Sequence, residues 1–382
     1  MSNQVQGGIP ASTPALRFCA LPRQQEVPVI GEQEARSLTW AALTQAGVSA
    51  ADADQVADAL VDTSLRGIDT HGLRLLPQYL DELATGVANA TARVHVIRDR
   101  GAGLLMDADG ALGVLAGLAA ARFAAERARH FGVAAVGVRN SNHFGAASVY
   151  TRRLARDGLV GIAVTSAASR VAPYGGVEPL FGTNPISVAA GTDGDEFALD
   201  MATSQVCFGE IKHRRARRRP LDSGWVTDAD GRPTTKADEA YALSPLGGYK
   251  GQGLAMAVTL LGSVLTGAPL DWQLSQVGEG IPGQGRGVGH LVLALDPGAF
   301  TGQAEFSGGL ADLLGTVRAA TPANSSQPVL APGDPQRAHE RDRWQHGIPL
   351  DARTAGVLSA LATNLGVAGP RAAVVTNEEV RK

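Results

Sequence analysis

The sequence predicts an α/β protein of more than one lobe, and three observations carry that prediction. From Gly103 to Thr165 the chain alternates strand, helix, strand, helix and strand patterns, the rhythm of a sheet covered by helices. Its 382 residues, 44% hydrophobic and 19% charged, are enough for two or three lobes with a full core. Its 47 glycines imply many tight turns, and polar clusters follow several apolar strands, where α/β sheets bind ligands.

Taken in order, Met1 to Val29 is polar, contains prolines and lacks a signal-peptide apolar region, so residues 1–30 read as a disordered extension. Gly31 to Ala46 reads as a helix, and Gly47-Val-Ser breaks it. Ser49 caps a second helix, Ala51 to Leu65, on which Val56, Leu60 and Ser64 share a face. The stretch Arg66-Gly-Ile-Asp-Thr-His-Gly-Leu-Arg74 closes it, Gln78 to Ala84 is a short helix, and Arg93 to Asp99 a strand. These elements make a helical lobe of residues 31–100, to which 320–382 returns. Residues 101–319 form the α/β domain. Its strands are Gly103–Asp107, Val133–Val138, Leu159–Thr165, Ile186–Ala190, Phe197–Met201 and Leu291–Asp296. Its helices are Leu112–His130, Ala146–Asp157, Leu254–Leu265 and Ala299–Ala319. Gly278 to Gly289 reads as a mobile glycine-dense segment, Leu330 to Pro335 opens a charged tail, and a last helix spans Asp351 to Leu365.

The net charge of −3 gives no global pull toward nucleic acid. No apolar run spans a bilayer. Cys19 and Cys207 form neither a metal pattern nor a disulfide framework, which points to a reducing, cytoplasmic setting. No P-loop, zinc spacing or G-x-S-x-G is present. Gly278-Glu-Gly-Ile-Pro-Gly283 spells G-x-G-x-x-G but neither follows a β-branched strand nor opens a helix, so it is a chance match. The basic run Lys212–Arg219 reads as a solvated face or as a site for a 2′-phosphate or other anion. Without interleaved aromatics it is a poor nucleic-acid surface.

Two histidines stand in glycine-flanked polar loops, His71 and, in Asn140-Ser-Asn-His-Phe-Gly145, His143. An imidazole exchanges protons near neutral pH, and flanking glycines let a substrate approach the backbone. Taken singly, each is more readily a buried hydrogen-bonding residue; the argument for chemistry is that they occur with other polar stretches downstream. Lys250, in a glycine-rich turn before a helix, suits a phosphate or equally an exposed surface. Asp200-Met-Ala-Thr-Ser204 offers a carboxylate, hydroxyls and amides for ribose or pyrophosphate, or is simply a strand-end turn.

Together these stretches resemble the type-2 malate/L-lactate dehydrogenase family, which includes ureidoglycolate, sulfolactate and diketogulonate dehydrogenases and an imino-acid reductase. Matching pieces, from about Glu32 to Leu365, are Leu65–Gly72, Ser141–Gly145, Val171–Gly176, Gly182–Pro185, Asp200–Ser204, Leu246–Gly251 and Pro332–Asp334. The resemblance implies a non-Rossmann sheet that binds NAD or NADP, packed with a helical N-/C-terminal lobe, a homodimer, no metal, and hydride transfer to or from a small 2-hydroxy or 2-oxo acid. A cyclic imino-acid reductase or a non-catalytic cofactor-binding relative is the alternative. It assigns acid/base chemistry to His71 with Thr70 beside it, a relay carboxylate to Glu210, and a competing catalytic role to His143. The cofactor would contact Asp200, Met201, Ala202, Lys250, Gly251, Gly333 and Asp334. One departure is Leu75, where members often carry an arginine for the substrate carboxylate; Arg74 is adjacent, and Tyr79 is a further substrate-facing candidate.

Overall fold

The computed structural model describes residues 25–192, 194–325 and 327–375. Helices Glu32–Gln45 and Ala50–Leu65 pack on each other through Leu38, Leu43, Val56 and Leu60, all buried. Ser49 caps the second, its hydroxyl accepting from the Asp52 amide at 3.2 Å. The chain then turns through Asp69–His71 and Leu73–Leu75 into helix Leu76–Ala84, with Pro77 in its first turn.

A seven-stranded sheet forms the centre. Its order is His95–Arg100, Gly103–Asp107, Val133–Ser141, Val288–Leu295, Val160–Thr165, Ile186–Thr192, Asp195–Met201. Only Gly103–Asp107 and Val133–Ser141 pair in parallel, joined by the Ala-rich helix Gly113–Phe131. The strand–helix–strand rhythm is present, but the sheet is mixed and mostly antiparallel. Val288–Leu295 lies antiparallel between the two strands that flank helix Ser148–Arg156. It is apolar and buried along nearly its whole length, so it belongs at a sheet centre.

Three expectations need correction. Expected to end a disordered extension, Gln25–Ile30 is instead the middle strand of a small sheet, between Ile348–Pro349 and Arg371–Val375; residues 1–24 lie outside the described residues. The charged segment after Leu330 contains a helix, Asp334–His346, whose polarity hides its periodicity. The glycine-dense segment is tied down by the buried Arg286, which donates to Glu82 at 3.2 Å and to the carbonyls of Ser275 and Gln276. Among the described residues no helix is long and apolar enough to cross a membrane.

Candidate active site

The stretch from Arg66 to Arg74 is held by ion pairs and by glycines. Arg66 is 3% exposed and pairs with Glu196 and Glu340, each at 2.8 Å. Arg152 bonds the same Glu196 at 3.1 Å and Asp62 at 2.7 Å, so the hub joins two helices, an edge strand and helix Asp334–His346. Asp69 is gripped by Arg343 at 2.5 Å. Gly67 has φ +80°, and a Cβ there would stand 2.7 Å from the His339 ring. A Cβ on Gly72 would collide with the Ser64 hydroxyl, which instead accepts from the Leu73 amide at 2.9 Å. These contacts leave little freedom in the backbone beside His71.

The second histidine loop is fixed by Asn142, fully buried, whose side-chain amide donates to the carbonyls of Gly110 (2.7 Å) and Ala111 (3.0 Å). Phe144 stacks on His290, with ring centroids 4.1 Å apart. The two loops meet: the His71 and His143 rings are stacked with centroids 5.8 Å apart. Thr70 Oγ1 lies 2.9 Å from His71 Nδ1, which leaves Nε2 for a ligand. Behind His143, the hydroxyl of buried Tyr79 lies 3.0 Å from Nδ1.

His71 lines a cleft of about 1550 Å³. Thr70, Arg74, Asp200, Met201, Ala202, Glu210 and Asp334 line it too. Gly333, with φ +103°, packs against Ala198 beside the cleft wall. Lys250 is exposed in the first turn of helix Tyr249–Thr259 and does not line the cleft. Gly251 is buried where a Cβ would strike the Leu246 backbone, so it seats that helix. Leu75 is part of the hydrophobic core. Glu210 accepts from Arg214 Nε at 2.9 Å, while the carboxylate whose charge acts on His71 is Asp200.

Burial pushes His71 below the ordinary imidazole range, and the Asp200 carboxylate opposes it. Burial raises Asp200, against the Ser148 amide that donates to it at 2.8 Å and the charge of His71. His143 is pushed down further, by burial and then by the charges of His71, Arg286 and His290. Burial raises Tyr79, with Glu82 adding to it. Sequence reasoning missed the Arg286–Glu82 pair and the role of His290, which burial lowers to about 3. No local signal marks either; both depend on partners distant in the chain, Glu82 for Arg286 and Phe144 and Thr165 for His290. Among the described residues no group of His, Cys, Asp and Glu is arranged to hold a metal ion.

A family model described as malate/L-lactate dehydrogenase matches residues 30–359. The chain belongs to the malate/L-lactate dehydrogenase family. Within it, this member is 33% identical to a malate dehydrogenase of Pyrococcus abyssi, over 89% of this chain and 96% of that one. It is 39% identical to a (2R)-3-sulfolactate dehydrogenase (NADP(+)) of Chromohalobacter salexigens, covering 72% and 82%. It is 32% identical to a ureidoglycolate dehydrogenase (NAD(+)) of Escherichia coli, covering 81% and 88%. Among solved structures it superposes on sulfolactate dehydrogenase from Methanocaldococcus jannaschii with TM-score 0.83 at 30% identity, covering 89% and 98%. It superposes on Δ1-piperideine-2-carboxylate reductase from Pseudomonas syringae pvar. tomato with TM-score 0.77 at 30% identity, covering 87% and 99%.

Proposed function

We propose that this family member is an NAD(P)-dependent oxidoreductase of small 2-hydroxy and 2-oxo acids, with His71 as its proton donor and acceptor. The observation that carries the reading is His71 itself: it lines the cleft, Thr70 takes one ring nitrogen, and Asp200 faces it. His71 gives a proton to the substrate oxygen as the carbonyl is reduced and takes it back when the alcohol is oxidised. The hydride is exchanged with nicotinamide C4 when NAD or NADP is bound. Asp200 favours the imidazolium that oxidation creates. His143, more strongly depressed and backed by Tyr79, stays neutral and fixes the plane of the His71 ring from behind. Arg74, in the cleft and held only loosely by Asp351 at 3.9 Å, receives the substrate carboxylate in place of the buried Leu75.

The cleft fits a dinucleotide with a small acid. Its volume exceeds what the acid alone requires, and its walls include the small side chains of Gly145, Ala146, Ala147 and Ser148, which bring backbone close to a flat ring. Asp200, Met201, Ala202 and the Gly333–Asp334 turn would hold the cofactor without a Rossmann fingerprint. Lys250 and Gly251 would support it from the rim, because segment 244–246 pairs with residues 203–205 beyond the Asp200 strand end. Glu210 would act through Arg214 rather than on His71. A homodimer is our reading of the exposed Met256, Leu260, Val264 and Leu265, an apolar ridge along one helical segment. The free thiol of Cys207 suits the cytoplasm.

Titrating the purified protein with NADH and with NADPH, followed by nicotinamide fluorescence, tests this. Micromolar binding of one, then turnover of an oxaloacetate, pyruvate and cyclic imino-acid panel, is the expected result. Preference for the imino acid would move the reductase reading ahead. Binding of neither cofactor would leave only a shared fold.

A further inference from the structure

Asp271 is fully buried, and among the described residues no cation pairs with it. An acid so placed is unfavourable unless its oxygens find donors. One oxygen finds three. Oδ2 accepts from the Gly182 amide at 3.0 Å, from the Asn184 side-chain amide at 2.7 Å and from the Thr259 hydroxyl at 3.0 Å. Oδ1 meets no partner. The acid itself stands in the short turn Asp271–Gln273, outside the cleft.

What the donors share is a place behind the cleft wall. Thr183 and Pro185 line the cleft beside Asp200, Met201 and Ala202. The turn that presents them is tight. Asn184 is buried with φ +39°, and a Cβ on Gly182 would stand 2.3 Å from the Ala167 carbonyl oxygen. A non-glycine residue stays in the left-handed region only when its surroundings hold it there. Asn184 is held at both ends of its side chain, Nδ2 by Asp271 and Oδ1 by the Ala167 amide at 3.1 Å. From this turn the bonds run on. The Thr183 carbonyl accepts from the Thr203 amide at 2.9 Å and from its hydroxyl at 3.1 Å, and the Thr203 carbonyl accepts from the Leu246 amide at 2.9 Å. Leu246 leads into helix Tyr249–Thr259, whose last residue is the third donor to Asp271. Three stretches scattered along the chain, Gly182–Pro185, Asp200–Ser204 and Leu246–Gly251, thus form one ring, and Asp271 closes it.

We propose that Asp271 is a positioning residue of the cofactor site: without touching the dinucleotide, it locks the Thr183–Pro185 turn and helix Tyr249–Thr259 to the Asp200–Ala202 strand end in the arrangement that NAD(P)H binds. The inference rests on the oxidoreductase reading above and adds to it a residue outside the cleft. Removing the carboxylate strands the Gly182 and Asn184 donors in a dry interior and lets the left-handed turn relax. The acceptor oxygen matters more than the charge. Burial raises this acid above the ordinary carboxylate range, against the Gly182, Asn184 and Thr259 donors, so a neutral asparagine with the same acceptor is a fitting substitute.

The test compares Asp271→Ala, Asp271→Asn and Thr259→Val with wild type by fluorescence titration with NADH and NADPH, by thermal melts and by steady-state kinetics. Asp271→Ala should raise the dissociation constant of the preferred cofactor about tenfold or more, and Asp271→Asn should restore it to within about threefold of wild type. Thr259→Val, which removes a single donor, should raise it about two- to fivefold. At saturating cofactor kcat should fall far less than affinity, because His71 is held by separate contacts. A lower melting temperature with unchanged cofactor affinity would mean a merely structural role and overturn the proposal, as would a loss that asparagine does not repair. Should Asp271→Ala fail to fold, Thr259→Val decides, and an affinity equal to wild type sinks the proposal. Binding of neither cofactor by the wild type would sink the oxidoreductase reading and this inference with it; variants that bind as tightly as a binding wild type sink this inference alone.

Discussion

Two walls of one cleft are built on opposite principles. The wall that carries His71 is over-determined. Arg66 and Asp69 sit in ion pairs, Gly67 and Gly72 stand where side chains would collide, and the His71 ring is stacked on His143. The facing helix Phe208–Ala216 is half solvent-exposed and buries only Ile211, and Lys212 on it and Arg217 at its end make no ion pair among the described residues. Proton transfer needs a donor held within fractions of an ångström, whereas an anion is attracted over a longer range and tolerates a mobile partner. Rigidity is concentrated beside His71, and uncompensated positive charge on the facing helix.

The comparison breaks most readily at the rigid wall. His71→Ala should lower kcat by about 10²- to 10⁴-fold with NAD(P)H affinity near wild type. Steady-state kinetics beside fluorescence titration checks this, and surviving turnover would transfer the proton role to His143. Arg66→Met leaves Glu196 and Glu340 facing Arg152 with one cation fewer, and should cost about 3–5 kcal/mol of stability. Arg217→Gln, on the open wall, should cost less than about 0.5 kcal/mol. Denaturant melts of the two variants measure the contrast, and equal losses would erase it.

Titration sharpens the same contrast. His290 is buried with a pKa of about 3, below its unfolded value near 6.5. A base depressed by folding binds its proton more weakly in the native state, so its contribution is present above 6.5 and is lost as pH falls from 6.5 toward 3. At pH 5 the loss is on the order of 2 kcal/mol, and His290→Gln should flatten the acid limb of a stability profile. An unchanged slope would mean that other groups dominate. Asp200→Asn removes the charge opposing the burial of His71, so the acid limb of the oxidative kcat/KM profile should move to lower pH. A profile that stays in place would remove Asp200 from the relay. The smallest effect is expected of Lys250→Ala, a several-fold rise in the cofactor dissociation constant, since this lysine stands outside the cleft. A constant that does not move would leave Lys250 no part in binding.

Much of this was legible before any fold was known. The cap at Ser49, the helices on either side of it and the strands Gly103–Asp107 and Val160–Thr165 follow from local pattern and lie within a residue or two of where they were expected. The histidine loops were visible because glycine beside a polar residue after an apolar element is a local signature. Helix Asp334–His346 was not, because its exposed, charged surface carries no apolar stripe. Strand Gln25–Ile30 was not, because its partners are Ile348–Pro349 and Arg371–Val375, at the other end of the chain.

The sequence by itself determined the helices that carry a cap or an apolar stripe, many of the turns and which residues could do acid/base work, since caps, glycines and side-chain periods act over a few residues. Tertiary structure decided the rest. It inserted Val288–Leu295 between two strands that are near neighbours in the chain, set Asp200 rather than Glu210 to act on His71, and put Tyr79 behind His143. Those outcomes depend on burial and on pairings between distant segments. A histidine's proton affinity is set by what surrounds it, and here the surroundings come from strands and helices that only the folded chain brings together.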